Sequence, residues 1–118
     1  MNSHPEYKLW VEEIHHTEKR DAPSGTAVTL AEDILQIVKD KEKWVNAPSQ
    51  ESTDLVILSK RIDPAPGTHT IHYDSAIDSI TLTHTAHNRK GFALGAVLAA
   101  EFLHNKKGNY TMNDVLSL

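Results

Sequence analysis

The segment Glu13 to Ala27, EIHHTEKRDAPSGTA, concentrates groups that can do chemistry. It carries two adjacent imidazoles, His15 and His16, then an ammonium at Lys19, then Ser24-Gly25-Thr26 ahead of an apolar-periodic run. A histidine of near-neutral pKa can donate or accept a proton, and a neighbouring lysine can neutralise an anion while biasing that imidazole against becoming cationic as well. Ser24, Gly25 and Thr26 at a helix start would offer backbone N–H groups, hydroxyls and the positive end of the helix dipole, which suits a carboxylate or a phosphate. Taken singly, Pro-Ser-Gly-Thr before a helix is a common cap and turn, and a histidine pair alone says little more. Gathered at one strand-to-helix junction, they point to an anion-binding and proton-transfer site.

The remaining histidines invite a metal reading, because the chain has 8 of them, including His69-x-x-His72 and His84-x-x-His87. Both pairs fall in or at the end of expected strands, where residues i and i+3 face opposite sides, so no metal is expected. Arg89 and Lys90 stand at the start of the last long helix, and Arg89 could face a cavity if it follows a strand that ends at His87. No G-x-G-x-x-G and no Walker loop is present, so these residues cannot bind a dinucleotide in the usual way.

For His15 and His16 to serve one cavity, a strand must end there and the backbone must turn, since neighbours on an extended strand point to opposite faces. The sequence supports this. Tyr7, Leu9 and Val11 alternate with Lys8, Trp10 and Glu12 in a strand spanning residues 7–14, with Trp10 and Ile14 making its second face partly apolar. From Thr26 to Lys41, Ala27, Leu30, Ala31, Ile34, Leu35 and Val38 follow the helical period and predict an amphipathic helix. A polar loop at 46–53 precedes strands at 54–62, 68–74 and 78–86, separated by the Asp63-Pro64-Ala65-Pro66-Gly67 turn and by residues 74–78. Their close spacing predicts an antiparallel meander. Asn88 can cap a last helix over 89–106 that is apolar nearly all round and must be buried on most sides, against the sheet or against something outside this chain. A short terminal turn is expected within 112–118. The fold class read from this pattern is α+β: a mixed, mostly antiparallel sheet of about four strands packed by two main helices.

Composition narrows the function classes. A chain of 118 residues suits one domain with one core. The formal net charge of −4 gives no basic surface that would suggest nucleic acid or an anionic membrane. The longest apolar run, residues 91–100, is about half the ~20 residues needed to span a bilayer. No cysteine is present, which excludes disulfides, thiolate nucleophiles and Cys-type zinc sites. The start MNSHPEYK lacks a signal-peptide core, so a cytoplasmic location is expected.

His15-His16, Lys19 and Asp21-Ala22-Pro23-Ser24-Gly25-Thr26-Ala27 resemble the signature of the 4-hydroxy-tetrahydrodipicolinate reductase (dihydrodipicolinate reductase) family of the diaminopimelate/lysine pathway. The stretches GTHTI at 67–71, ITLTHTAHNRKGFALGAVLAAEFL at 80–103 and KKGNYTMNDVLSL at 106–118 are similar to that family too. The resemblance implies that residues 1–118 form a single C-terminal substrate-binding and oligomerisation domain. Complete family members are about twice as long and carry an N-terminal dinucleotide-binding domain for NADPH or NADH, which is absent here, so this chain alone is expected to be inactive and to bind no coenzyme. In the complete enzyme a hydride reaches an unsaturated cyclic imine dicarboxylate and the resulting carbanion equivalent is protonated. The resemblance assigns proton transfer to His15, a second proton donor and countercharge to Lys19, substrate contacts to His16, and a carboxylate clamp to Ser24, Gly25 and Thr26. It also places Arg89 near the coenzyme side and implies a homotetramer. The alternative is a stand-alone module that binds a small anion or serves assembly without catalysis.

Overall fold

The structure, a computed structural model, describes all residues from Met1 to Leu118. Alternation along KLWVEEIH produces strand β1, Lys8–His15, whose side chains at Leu9, Val11, Glu13 and His15 are buried, while Trp10, Glu12 and Ile14 are half-buried on the other face. Helix α1, Gly25–Ile37, starts where Ser24 Oγ accepts the Ala27 N–H at 3.2 Å. It buries Ala27, Ala31 and Ile34, the i, i+4, i+7 stripe of the sequence pattern.

The helix is shorter than its periodicity predicts. Val38 turns extended, and the chain enters a short strand, β2, Lys43–Val45, that the sequence pattern did not reveal. A tertiary contact explains the difference: Lys41 Nζ donates to the carbonyls of Ser52 and Asp54 at 2.7 and 3.0 Å, drawing residues 38–42 onto the segment ahead of the next strand. A lysine- and glutamate-rich stretch is compatible with either state, and the long-range bonds decide.

Strands β3, Asp54–Arg61, β4, Gly67–Asp74, and β5, Ser79–Ala86, complete a sheet of five strands rather than about four, in the order β2-β3-β1-β4-β5. The expected meander does not form, because β1 lies between β3 and β4. β1 pairs in parallel with β3 and antiparallel with β4, so the five-residue Asp63-Pro64-Ala65-Pro66-Gly67 turn crosses the end of β1 instead of closing a hairpin. The sheet is mixed as expected, but its pairings divide evenly, β1–β3 and β2–β3 being parallel and β1–β4 and β4–β5 antiparallel. β1 suits its central place because it carries apolar side chains on both faces, Leu9 and Val11 on one and Trp10 and Ile14 on the other.

The core lies on the α1 face of the sheet and comprises Leu9, Val11, Ala27, Ala31, Ile34, Leu55 and Ile57, bordered by Leu30, Leu35, Val38, Trp44, Ile71 and Tyr73. Along β1 this apolar row runs directly into Glu13 and His15, so the core ends in a buried polar cluster. No helix is long and apolar enough to cross a membrane.

The chain divides into two compact units, Met1–His87 and Asn88–Leu118. The second holds helices α2, Lys90–Leu103, and α3, Met112–Leu116, the latter matching the expected terminal turn. Asn88 Oδ1 accepts the Lys90 N–H at 2.9 Å, the capping contact read from the sequence, although Arg89 occupies the N-cap position itself. Thr111 and Asp114 form a reciprocal capping box at the start of α3. In the 88–118 unit α2 has no buried residue, and Phe92, Leu94 and Val97 are each more than half exposed, so that unit does not itself supply the burial expected of this helix.

Candidate functional site

Period-2 geometry places Glu13 on the same face of β1 as Leu9 and Val11, and it is 0% exposed. A carboxylate so placed requires partners. Its Oε1 accepts the Ser24 N–H and an Arg61 Nη2 hydrogen, both at 3.2 Å. Its Oε2 stands 3.0 Å from His15 Nδ1 and 4.0 Å from His69 Nε2. Burial works to raise the carboxyl pKa, but hydrogen bonds from Ser24, Ser59 and Arg61 outweigh it and hold Glu13 below the ordinary carboxylate range. Ser24 joins the network twice more, capping α1 and placing its Oγ 3.1 Å from His69 Nε2. The rings of His15 and His69 meet edge to face at 5.1 Å.

Both histidines are held below the usual imidazole pKa. For His15 the main cause is burial, opposed by Glu13 and reinforced by the charges of Lys19 and Arg61. For His69 it is again burial, followed by the proximity of His15. Each is therefore neutral when folded at a pH where the unfolded chain, with imidazoles near 6.5, begins to take up protons. Their contribution to stability is fully present above that value and is lost as pH falls through the lower folded-state pKa. Melting temperature is expected to fall from pH 7 toward pH 5, and His69→Gln should flatten that fall. An equally steep fall in the variant would remove His69 as a source.

The loop after β1 is tied down from β3 and the turn that follows it. β1 ends at His15, as a shared histidine site requires, and the Lys19 N–H bonds to the His16 carbonyl at 3.1 Å to close a turn. Thr17 is fixed to Asp63 by its N–H at 2.9 Å and its hydroxyl at 2.6 Å. Arg61 donates to the carbonyls of Lys19 and Asp21 at 3.1 and 2.5 Å while it also holds Glu13. Lys19 Nζ lies 2.9 Å from Asp21 Oδ1, a hydrogen bond that lowers the Asp21 pKa.

Of the residues singled out in the sequence, His15, Ser24 and Lys19 meet around one buried network. Gly25 and Thr26 form the exposed first turn of α1, whose N–H groups have no acceptor within the helix. His16 is half-buried at the turn itself. Arg89 belongs to the 88–118 unit, at the N-cap of α2.

Three participants were missed. Glu13 was legible in principle, as a carboxylate in register with an apolar strand face. Arg61 carries no local signal at all. His69 was weighed only as half of a metal pair, and that pair does divide between faces, since His72 stacks on Trp10 with ring centroids 4.7 Å apart. One donor atom each from Glu13, His15 and His69 does converge within 4.8 Å. The guanidinium of Arg61 already supplies positive charge at Glu13, and His69 Nε2 is engaged by Ser24, so the cluster suits protons better than a metal cation.

Gly67 completes the site from β4. A Cβ added there would lie 3.1 Å from His15 Nε2, tighter than ordinary contact, so the glycine leaves room at the outer edge of the ring. Gly67→Ala is expected to displace the imidazole and cost about 1 kcal/mol of stability. Shifted His15 ring resonances together with a lowered urea midpoint would report this, and unchanged ring resonances would contradict it.

These residues match known proteins along nearly the full chain. Residues 1–116 match the family described as "Dihydrodipicolinate reductase, C-terminus". The 4-hydroxy-tetrahydrodipicolinate reductase of Christiangramia forsetii is 50% identical over 99% of this chain and 48% of its own length. That of Aquifex aeolicus is 43% identical over 90% of this chain and 42% of its own. The chain thus spans about half the length of the curated relatives it matches. A solved structure, the dipicolinate-bound dihydrodipicolinate reductase from Paenisporosarcina sp. TG-14, superposes with a TM-score of 0.61 at 24% identity, covering 81% of this chain and 40% of that one, and so shares the fold. A mixed five-stranded sheet with this signature on the loop after its central strand, matched over residues 1–116, makes the chain a member of the family of dihydrodipicolinate reductase C-terminal domains.

Proposed function

We propose that this chain is the substrate-binding and assembly half of a 4-hydroxy-tetrahydrodipicolinate reductase, acting in the cytoplasm in diaminopimelate and lysine biosynthesis. The observation that carries the reading is the junction between β1 and α1, where a buried histidine, a lysine and an exposed helix start lie on the sequence signature shared with the family. In this reading His15 exchanges a proton with the substrate, and Lys19 supplies a second proton and countercharge. His16 contacts the substrate, and the N–H groups of Gly25 and Thr26 with the Thr26 hydroxyl clamp a carboxylate, while Ser24, engaged by Glu13, Ala27 and His69, sets the helix start that presents them.

The reduced nicotinamide coenzyme, NADPH or NADH, would supply the hydride from a second domain. The residues present do not fit a dinucleotide: Gly25 and Gly91, the glycines at helix starts, stand singly and face open space rather than a phosphate cradle. NADPH is accordingly expected to give no measurable fluorescence titration with this chain. Micromolar affinity would relocate the coenzyme site, with Arg89 the first residue to test.

The reading also includes a homotetramer. The half-exposed Ile80 and largely exposed Leu82 on β5, and the uncovered apolar residues of α2, supply surface that association would bury. A monomer by light scattering at tens of micromolar would contradict it.

The site itself is tested with pyridine-2,6-dicarboxylate, a planar stand-in for the substrate. All donors assigned to the carboxylate belong to one helix start, so binding is expected to survive in this chain at about millimolar affinity, ~4 kcal/mol. The Gly25 and Thr26 amides and the His16 ring signals should shift first in an NMR titration, and Thr26→Val should abolish the shifts. Leading shifts at His84 instead would overturn the assignment.

A further inference from the structure

Resting on that reading of His15, we propose that Glu13 is a positioning residue that keeps the imidazole proton of His15 on Nδ1, so that every proton exchanged with the substrate passes through Nε2. Glu13 is fully buried, and its two oxygens are used differently. Oε1 is engaged by the Ser24 N–H and Arg61, whereas Oε2 has no hydrogen bond of its own and lies 3.0 Å from His15 Nδ1, a buried atom equally without a hydrogen bond. The approach lies off the N–H axis and is an ion-pair contact, but a carboxylate oxygen at this distance attracts a proton on the nitrogen and repels a bare lone pair there. The alternative tautomer would set the Nδ1 lone pair 3.0 Å from a carboxylate oxygen in a buried site, where that repulsion is little screened.

The other edge of the ring is arranged for the complementary task. Nε2 lies over Gly67, where the missing Cβ leaves the space that a side chain would fill. With Nδ1 protonated, the neutral ring accepts a proton at Nε2 and the cationic ring returns it from the same atom, so Glu13 confines exchange to the edge that Gly67 leaves uncrowded.

The charges facing His15 come from several elements: Glu13 on β1, Lys19 and Asp21 on the loop, and Arg61 on β3. His69 on β4 packs against its ring and is itself influenced by His84 on β5. Glu13 is the group among these that stands at Nδ1. Arg61 and Lys19 oppose the imidazolium, and Glu13 limits their effect.

The first test requires no variant. Long-range proton–nitrogen NMR on the 118-residue chain above neutral pH should show His15 with a protonated Nδ1 and a bare Nε2; the opposite tautomer would overturn the proposal. Glu13→Gln should then move the His15 titration midpoint to lower pH and weaken the tautomer preference, while Glu13→Asp should restore part of both. Were Glu13 merely a partner for Arg61, Glu13→Gln would lower stability with the His15 tautomer and midpoint unchanged, and that result would also overturn the proposal. In a complete enzyme Glu13→Gln should lower kcat at least tenfold with little change in KM. If His15→Ala in that enzyme left turnover intact, the catalytic role of His15 would fail while the tautomer measurement still decided the role of Glu13.

Discussion

In a complete reductase carrying these residues, His15→Ala is expected to lower turnover by about 10²–10⁴-fold, the range that a positioned proton donor or acceptor supplies. The expectation rests on placement. His15 closes β1, so its backbone is fixed by pairing with Arg61 of β3 and by the Ile62 N–H on its carbonyl, and its ring is flanked by Glu13 and by the ring of His69. A group so constrained delivers a proton without first being ordered, which is the source of the rate advantage. Because the substrate's carboxylates are assigned to other donors, KM should change far less than kcat. Lys19→Ala is expected to cost more than tenfold as well, with a larger share in KM, since its ammonium acts partly as countercharge. Oxidation of the reduced nicotinamide, followed by its absorbance under saturating substrate, measures both, and near wild-type turnover of His15→Ala would remove it from the chemistry.

Arg61→Ala is expected to destabilise the 118-residue chain by about 3 kcal/mol, toward the lower end of the range for breaking a buried ion pair because Arg61 retains some exposure. Removal of the guanidinium leaves the fully buried Glu13 without its countercharge and frees the carbonyls of Lys19 and Asp21 at the same time. Against a total stability of roughly 5–15 kcal/mol this is a large fraction. Arg61→Lys should recover little, because a single ammonium cannot reproduce a fork that reaches the carbonyls of Lys19, Asp21 and Lys60 and the Glu13 carboxylate at once. The double change Arg61→Ala with Glu13→Leu should be less destabilised than Arg61→Ala alone, since it removes the orphaned charge along with its partner. Urea unfolding of the wild type, Arg61→Ala, Arg61→Lys, Glu13→Leu and the double variant decides it. Additive losses would show that the pair does not act as a unit.

Much of this architecture was legible in the residues themselves. The period-2 alternation of β1, the helical stripe of α1 and the turn at Asp63-Pro64-Ala65-Pro66-Gly67 are local patterns, and local patterns reflect the burial each segment requires. The segment from His15 to Ala27 likewise gathers two imidazoles, a lysine and a helix start on one junction, because all of its parts are close in sequence.

What lay beyond local pattern was decided by pairing at a distance. The insertion of β1 between β3 and β4, the early end of α1 and the strand β2 depend on contacts between residues far apart in the chain, for which periodicity offers no signal. The same holds for the chemistry of His15. Its backbone turn follows from neighbouring residues, but its proton partner, its restrained pKa and the anchoring of the Lys19 loop come from Glu13, Arg61 and His69, brought together by the register of Glu13 with Ser59 and His69 across the sheet. Sequence alone could state which groups were available; only the tertiary fold could bury a carboxylate beside an imidazole, because the energy of that pairing depends on the exclusion of water by elements that are not adjacent in the chain.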